Sequence, residues 1–320
     1  SDKDSISADG MIRLNALFKP EWSPEMLHSV NYLTHLNVIR TRLVKEIGGW
    51  RSETDGAQDW DLFFRITEKT QNIARVPSIH YHWRILPTST ATGLAAKPYA
   101  ALGQLKSQQD YFLRRDLAAT VIPSPEGMYH VCWPIRTEST DIIIFQNGSL
   151  SQLVTTLNAL RIAKQKSIRY IHVIHSAPAN DLLYAFKNVW KNSIFFKKIE
   201  MVNWYTGLEV ILSGDTAETI LLLDGNATGL SETLVDELSG WVAQHPDIAW
   251  ASALALNLDG TTVFEAGRVV SEDYQSAPMF CDTPLFSFGW FGGPLWYRNS
   301  RACSPYAVAM RSSDARSALL

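Results

Sequence analysis

At 320 residues the chain is long enough for two domains, and 46% hydrophobic with 19% charged residues describes a folded protein rather than a disordered one. A net charge of −3 excludes the basic footprint of a nucleic-acid binder, and no apolar run reaches membrane-spanning length. Three cysteines, Cys132, Cys281 and Cys303, are odd in number and lack metal-binding spacing, which suits packed thiols in a reducing compartment. No signal-peptide pattern opens the chain.

The chain starts with Ser1-Asp2-Lys3-Asp4. Two carboxylates one residue apart can reach one hard cation when a turn gathers them, and Mg2+ or Mn2+ on a diphosphate needs few such ligands. Exposed Asp-x-Asp is also common in solvated turns, so the triplet alone decides nothing. Ser23-Pro24-Glu25 predicts a helix start, with Ser as cap, Pro in the first turn and an apolar face of Met26, Leu27, Val30 and Leu33. Leu36–Ile39 predicts a short strand, and Thr41–Ile47 a helix closed by Gly48-Gly49. Gly56–Leu62 then reads Gly-Ala-Gln-Asp-Trp-Asp-Leu and leads into an apolar-periodic run. Asp59 and Asp61 therefore stand where a loop turns into a helix. Free N–H groups and the helix dipole favour anions there, so each is either a cap or a carboxylate aimed at a substrate.

Ile73–Val76 and Ile79–Trp83 predict strands broken by Pro77, the second carrying His80 and His82 and running into Arg84. A histidine at a strand end is commonly a hydrogen-bonded structural residue, while beside a diphosphate His82 and Arg84 are the types that touch metal or phosphate. Pro98 to about Leu117 predicts a long helix, and Pro123, Pro125 and Pro134 then mark a boundary. From Thr140 onward, strands at Asp141–Phe145, Ile168–His175, Ile220–Leu223 and Ile248–Leu256 are expected. Helices at Leu150–Ala163 and after Ser231 separate them, as in parallel βαβ units. Asp224-Gly225-Asn226 follows the third strand, at the end where such sheets bind ligands. The expected fold class is α/β, with a first domain over residues 1–120, a linker over 121–139 and a second domain over 140–320.

Four stretches together resemble, in order and spacing, the second half of a bacterial family 2 glycosyltransferase domain of GT-A fold. They are Ser1–Ile6, Phe18-Lys19-Pro20-Glu21-Trp22-Ser23-Pro24, Gln58-Asp59-Trp60-Asp61-Leu62 and Tyr81-His82-Trp83-Arg84. The likeness covers residues 1–95. Residues 140–311 resemble the first part of a second, tandem domain of the same Rossmann-like kind. Leu223–Leu238 matches its metal-site strand and following helix. Leu258-Asp259-Gly260-Thr261 and Glu265-Ala266-Gly267 match its Pro-Asp-Gly-Thr and His-Ala-Gly region, and Tyr297-Arg298-Asn299 to Met310-Arg311 its acceptor-side segment.

The resemblance implies an inverting, metal-dependent transfer from a nucleotide-sugar donor to a saccharide or lipid-linked saccharide acceptor, in cell-surface polysaccharide or O-antigen synthesis. It implies Asp59 as the catalytic base, and Asp2, Asp4 and His82 as ligands of Mg2+ or Mn2+. Gln58, Trp60, Asp61, Trp83, Arg84 and Asp224 are the implied substrate-binding residues. Trp60 and Trp83 have the flat faces on which sugars stack, a role that competes with ordinary packing. No nucleic-acid partner is expected, and the implied location is the cytoplasm, with peripheral association at the inner face of the membrane allowed.

The departures favour a second hypothesis. The nucleotide-binding strands of the first domain are expected before Ser1, so the chain is expected to be a fragment. In the second domain Asn226 stands where the triplet has its second Asp, Gln146-Asn147-Gly148-Ser149 replaces a Pro-Thr turn, and the helix carrying the base is expected either beyond Leu320 or to be missing. The alternative function is a non-catalytic GT-A-like scaffold or polysaccharide-binding module. A metal-dependent hydrolase accounts for Asp2, Asp4 and Asp59 but not for the tandem repetition. Phe288–Trp296, rich in glycine and aromatic residues, reads as a packed loop or an acceptor lip.

Overall fold

The computed structural model describes residues 1–86, 98–124, 128–146, 149–163, 165–175, 194–198 and 204–319. The chain divides into two compact units: residues 1–131, 261–263 and 282–299 form one, and 132–260, 264–281 and 300–320 the other.

In the first unit β1 (Asp2–Ile6) lies between β2 (Arg13–Leu17), antiparallel to it, and β3 (Ile79–Arg84), parallel to it. The Asp-x-Asp triplet is thus a strand, not a turn. Alternation puts Asp2 and Asp4 on one face, both buried, and Lys3 on the other. Four helices follow the sequence pattern: α1 (Pro24–Ser29), α2 (Thr41–Glu46), α3 (Gln58–Thr67) and α4 (Pro98–Arg114). The Ser23 side chain caps α1 by accepting from the Met26 N–H. Leu27, Trp60, Phe64 and Phe112 are buried, and the His28 ring stacks on Phe64 and Phe112. Two predicted strands are absent: residues 36–39 and 73–76 are irregular. Leu36 and Val38 are apolar but 46% and 94% exposed, with no partner strand to pair them.

After β4 (Thr120–Pro123) and β5 (Tyr129–Cys132), the second unit is built on β6 (Thr140–Gln146), α5 (Leu150–Ala163), β7 (Ile168–His175), β8 (Ile194–Lys198), the helix Trp204–Leu212, β9 (Thr219–Asp224) and the helix Leu234–Gln244. The short strands β10 (Trp250–Ser252), β11 (Ala255–Leu256), β12 (Val263–Glu265), β13 (Arg268–Val270) and β14 (Ser276–Pro278) come next, then β15 (Ala307–Arg311) and the helix Ser312–Leu319. The expected strand Ile248–Leu256 is broken into β10 and β11. The main sheet runs β10-β15-β9-β6-β7-β8. β6 is parallel to both β7 and β9, and β15 is antiparallel to β9 and β10. Helices cover both faces. Ile142 and Ile144 pack toward Leu153, Leu157, Val235 and Leu238, while Ile143 packs with Leu208, Ile211, Ile220 and Ala315. Fully burying each such side chain contributes about 1.5–3 kcal/mol, which explains why β6 and β9 read as continuous apolar runs. The fold is α/β, as the alternation of elements predicts. Among the described residues no helix is long and apolar enough to cross a membrane.

The amino end of this sheet is locked by Asp141, whose side chain has no exposed surface. Arg169 donates to both its oxygens at 2.9 and 2.6 Å, and the Ala217 N–H donates at 2.8 Å. Burial pushes this carboxyl up, but hydrogen bonds from His172, Arg169 and Ala217 outweigh it and hold the group at about 2.

Candidate active site

The opening turn of α3 treats its two carboxylates in opposite ways. Ala57 at the N-cap offers no side-chain cap, so Asp59 takes part of that duty: its Oδ1 accepts from the Trp60 N–H at 2.8 Å. The rest of this half-buried carboxylate is uncommitted among the described hydrogen bonds. Asp61 is fully buried, with Arg51 and Arg65 both donating to it; the Arg65 Nε bond is 2.8 Å long. Arg51 also bonds Asp110 at 2.8 Å, and Arg65 reaches the Ile47 and Gly49 carbonyls. Asp61 is therefore the centre of a buried ion-pair network. Trp60 is 3% exposed, donates from Nε1 to the Leu27 carbonyl at 2.9 Å, and packs on Phe64 and Tyr129. No face of that ring is left for a sugar. Gln58 is exposed, its Oε1 accepting from the Gly56 N–H at 2.8 Å.

The sequence reading missed His35. Its ring lies 4.8 Å from Tyr81 and, edge-on, 5.1 Å from Trp83, with Lys3 over the Trp83 ring at 5.0 Å. Burial and the Lys3 charge push the imidazole pKa down, against an upward pull from Asp59, so His35 and Asp59 are within electrostatic reach. Lys19 donates to the Leu33 and His35 carbonyls at 2.8 and 3.1 Å, and burial together with Lys3 lowers it to about 8. The motif around Phe18-Lys19-Pro20 held a signal for Lys19; nothing in the spacing of Asn31–His35 marks the histidine. Trp83, between His35 and Lys3, is partly covered. Arg84 is committed to the Ser7 and Ala8 carbonyls, at 3.4 and 2.9 Å, and ties down the β1–β2 turn.

Of the three expected metal ligands, two meet. His82 Nδ1 is 2.5 Å from Asp4 Oδ1, paired across β1 and β3, and Arg13 holds the other Asp4 oxygen. Asp2 accepts from the Lys19 N–H at 2.9 Å and from Arg75 at 2.9 Å. Among the described residues no group of three His, Cys, Asp or Glu could hold a metal ion. Asp4 and His82 are engaged with each other, and Arg13 takes the second Asp4 oxygen. They lie on the face of β1 and β3 opposite Lys3, Tyr81 and Trp83, so the structure groups them apart from His35 and Asp59.

In the second unit the strand order reverses between β6 and β9, and Gln146 and Asp224 end those two strands. Asp224 Oδ1 accepts from the Asn226 N–H at 2.7 Å. Gly225 is tightly placed: a Cβ there would stand 2.5 Å from Gln146 Oε1 and 2.7 Å from the Phe145 carbonyl. Thr156 on α5 donates to the Gly225 and Ala227 carbonyls, stitching this loop to the helix. Gln146 Oε1 is buried without a hydrogen-bond partner among the described residues. Asn147 and Gly148 of the expected turn lie outside the described residues.

No protein-family model matches the chain. It is 26% identical, over 97% of its length, to the O-antigen biosynthesis protein RfbC of Myxococcus xanthus, and covers 24% of that protein. It is 32% identical over 166 residues to the uncharacterized protein y4gI of Sinorhizobium fredii, covering 50% of this chain and 18% of the relative. The chain thus spans a quarter or less of the length of these curated relatives. Among solved structures, the mannosyltransferase PcManGT from Pyrobaculum calidifontis, in complex with GDP-Man and Mn2+, is similar over 51% of this chain and 46% of its own. The identity there is 14% and the TM-score 0.33, values at which the likeness carries no argument.

Proposed function

We propose that the chain is part of a family 2 glycosyltransferase of GT-A fold that moves a sugar from a nucleotide-sugar donor to a saccharide or lipid-linked saccharide during surface polysaccharide or O-antigen synthesis. The likeness to RfbC along nearly the whole chain supports the setting. One observation carries the chemistry: the opening turn of α3 holds Asp61 in a buried ion pair and leaves Asp59 half-exposed, with a single hydrogen bond from its own helix. In this reading Asp59 takes the proton of an acceptor hydroxyl. The freed oxygen forms a bond to the anomeric carbon, and the bond from that carbon to the nucleoside diphosphate breaks, its electron pair leaving with the diphosphate. One displacement inverts the anomeric centre. A base acts only within hydrogen-bond reach of that hydroxyl. A divalent cation, Mg2+ or Mn2+, when bound with the donor would neutralise charge on the departing diphosphate; the Asp4–His82 pair, on the other face of β1 and β3, is not assigned to it.

The test is transfer from a panel of UDP-, GDP- and dTDP-sugars by the purified protein, with and without Mn2+. Asp59→Asn is expected to lower turnover by about 10²–10⁴-fold while leaving nucleotide binding in place. Full turnover in Asp59→Asn would falsify the assignment of the base. The non-catalytic scaffold finds its best support in the second unit, where Asp224 is turned onto its own loop. Nucleotide binding that survives Asp4→Ala but not Asp224→Ala would reverse the roles of the two units.

A further inference from the structure

A cleft of about 870 Å3 opens within the first unit, lined by Trp50, Arg51, Ser52, Asp55, Gln58 and Tyr99. Trp50 and Tyr99 belong to none of the motifs in the sequence. Both rings stand in solvent, 63% and 53% exposed. A single exposed aromatic residue needs no explanation, but two facing one cleft do.

The cleft is built. Gly56 has a φ of +87°, and a Cβ there would meet Ala100 and the Tyr99 ring at 2.9 Å. A Cβ on Gly103 of α4 would meet the Asp55 carbonyl at 2.9 Å. These two glycines let the 51–56 loop lie flat against α4 and set Tyr99 beside it. On the other flank Arg65 donates to the Ile47 and Gly49 carbonyls at 2.9 and 2.6 Å, and Arg51 bridges Asp61 and Asp110. The backbone carrying Trp50 is therefore fixed before any ligand arrives, which lowers the ordering cost of binding.

Charge defines the ligand. The Arg51 guanidinium is already matched by Asp61 and Asp110, while Asp55 is exposed and Asp59 adjoins Gln58. A phosphorylated or carboxylated ligand would meet uncompensated negative charge there. An uncharged molecule with many hydroxyls and one apolar ring face suits two aromatic platforms flanked by carboxylate and amide oxygens. We propose that this cleft is a binding subsite for a neutral saccharide, with Trp50 and Tyr99 against the sugar ring and Asp55 and Gln58 accepting from its hydroxyls. The proposal rests on the transfer function for one point, that the saccharide is the acceptor.

The experiment titrates neutral gluco-, manno- and galacto-oligosaccharides, and one uronic-acid oligosaccharide, into the purified protein, read by saturation-transfer NMR and tryptophan fluorescence. Binding of at least one neutral oligosaccharide is expected, weakened about tenfold in Trp50→Ala and in Tyr99→Ala at unchanged melting temperature. Trp204→Ala, a tryptophan 57% exposed in the second unit, serves as the control and leaves binding intact. No binding across the panel, binding indifferent to both cleft variants, or a preference for the uronic-acid ligand overturns the proposal. Asp59→Asn separates the two ideas. Transfer lost in Asp59→Asn, with saccharide binding indifferent to Trp50, sinks the cleft and keeps the transferase. Binding that needs Trp50, with transfer untouched in Asp59→Asn, keeps the cleft and sinks the base.

Discussion

In the first unit Asp61 is buried between two arginines, while Asp59, on the same helical turn, accepts one hydrogen bond and otherwise meets solvent. The second unit repeats the contrast along a strand direction. Asp141, at the amino end of β6, is buried on Arg169, and Asp224, at the carboxyl end of β9, accepts from the backbone of its own loop. Each unit thus holds a buried carboxylate matched by arginine and, near it in sequence or sheet, another that is more loosely held. Desolvating a carboxylate is tolerable only with partners of opposite charge and good geometry, so the matched pair carries stability and the loose pair is free for chemistry. Residue type does not separate the classes; position relative to arginine does.

The strongest way to break the comparison is to remove a matched carboxylate. Asp61→Ala leaves Arg51 and Arg65 facing a void and should cost about 3–5 kcal/mol in urea denaturation. A loss below about 1 kcal/mol would mean that the pair is not the centre described. Acid sharpens the contrast in the second unit. The folded Asp141 carboxyl sits at about 2 against an ordinary 3.8, so its contribution is complete above pH 3.8 and is lost as pH falls through about 2. It amounts to about 2 kcal/mol. Asp141→Asn should flatten that part of the stability–pH curve, and an unaltered slope between pH 4 and 2 would contradict the lock. Next comes Gly225→Ala, whose new methyl would press on Gln146 Oε1 and the Phe145 carbonyl and should cost about 1–3 kcal/mol; a neutral result would show that the loop gives way. Smallest of all, Asp59→Asn and Asp224→Asn should each change the melting midpoint by the equivalent of about 0.5 kcal/mol or less. Either one matching Asp61→Ala would erase the distinction between the classes.

Much of this was legible in the residues, and the failures have physical causes. The alternating elements gave α/β, and the loop-to-helix junction at Asp59 is where the sequence places it. Arg65, four residues after Asp61, was a visible i,i+4 partner. Arg51 and Asp110 were not visible, because only the packing of α4 brings Asp110 near. A strand with alternate acidic residues has the same spelling as an acidic turn, so Arg75, which pairs with Asp2 from the far end of the unit, was not legible either. β15 was hidden for a different reason. Ala307–Arg311 has weak strand propensity by itself and is made a strand by β9 and β10 on either side.

That last strand sets the timing of assembly. Ala307 pairs with Leu223, so β9 has no neighbour on its outer edge until residues 307–311 have been made. At the usual pace of translation the gap is on the order of ten seconds. Throughout it the row of free N–H and C=O groups along Ile220–Leu223 is a template for any other extended chain. The second unit cannot close residue by residue as it leaves the ribosome; it has to wait, and a cell making it quickly needs something to cover that edge in the meantime.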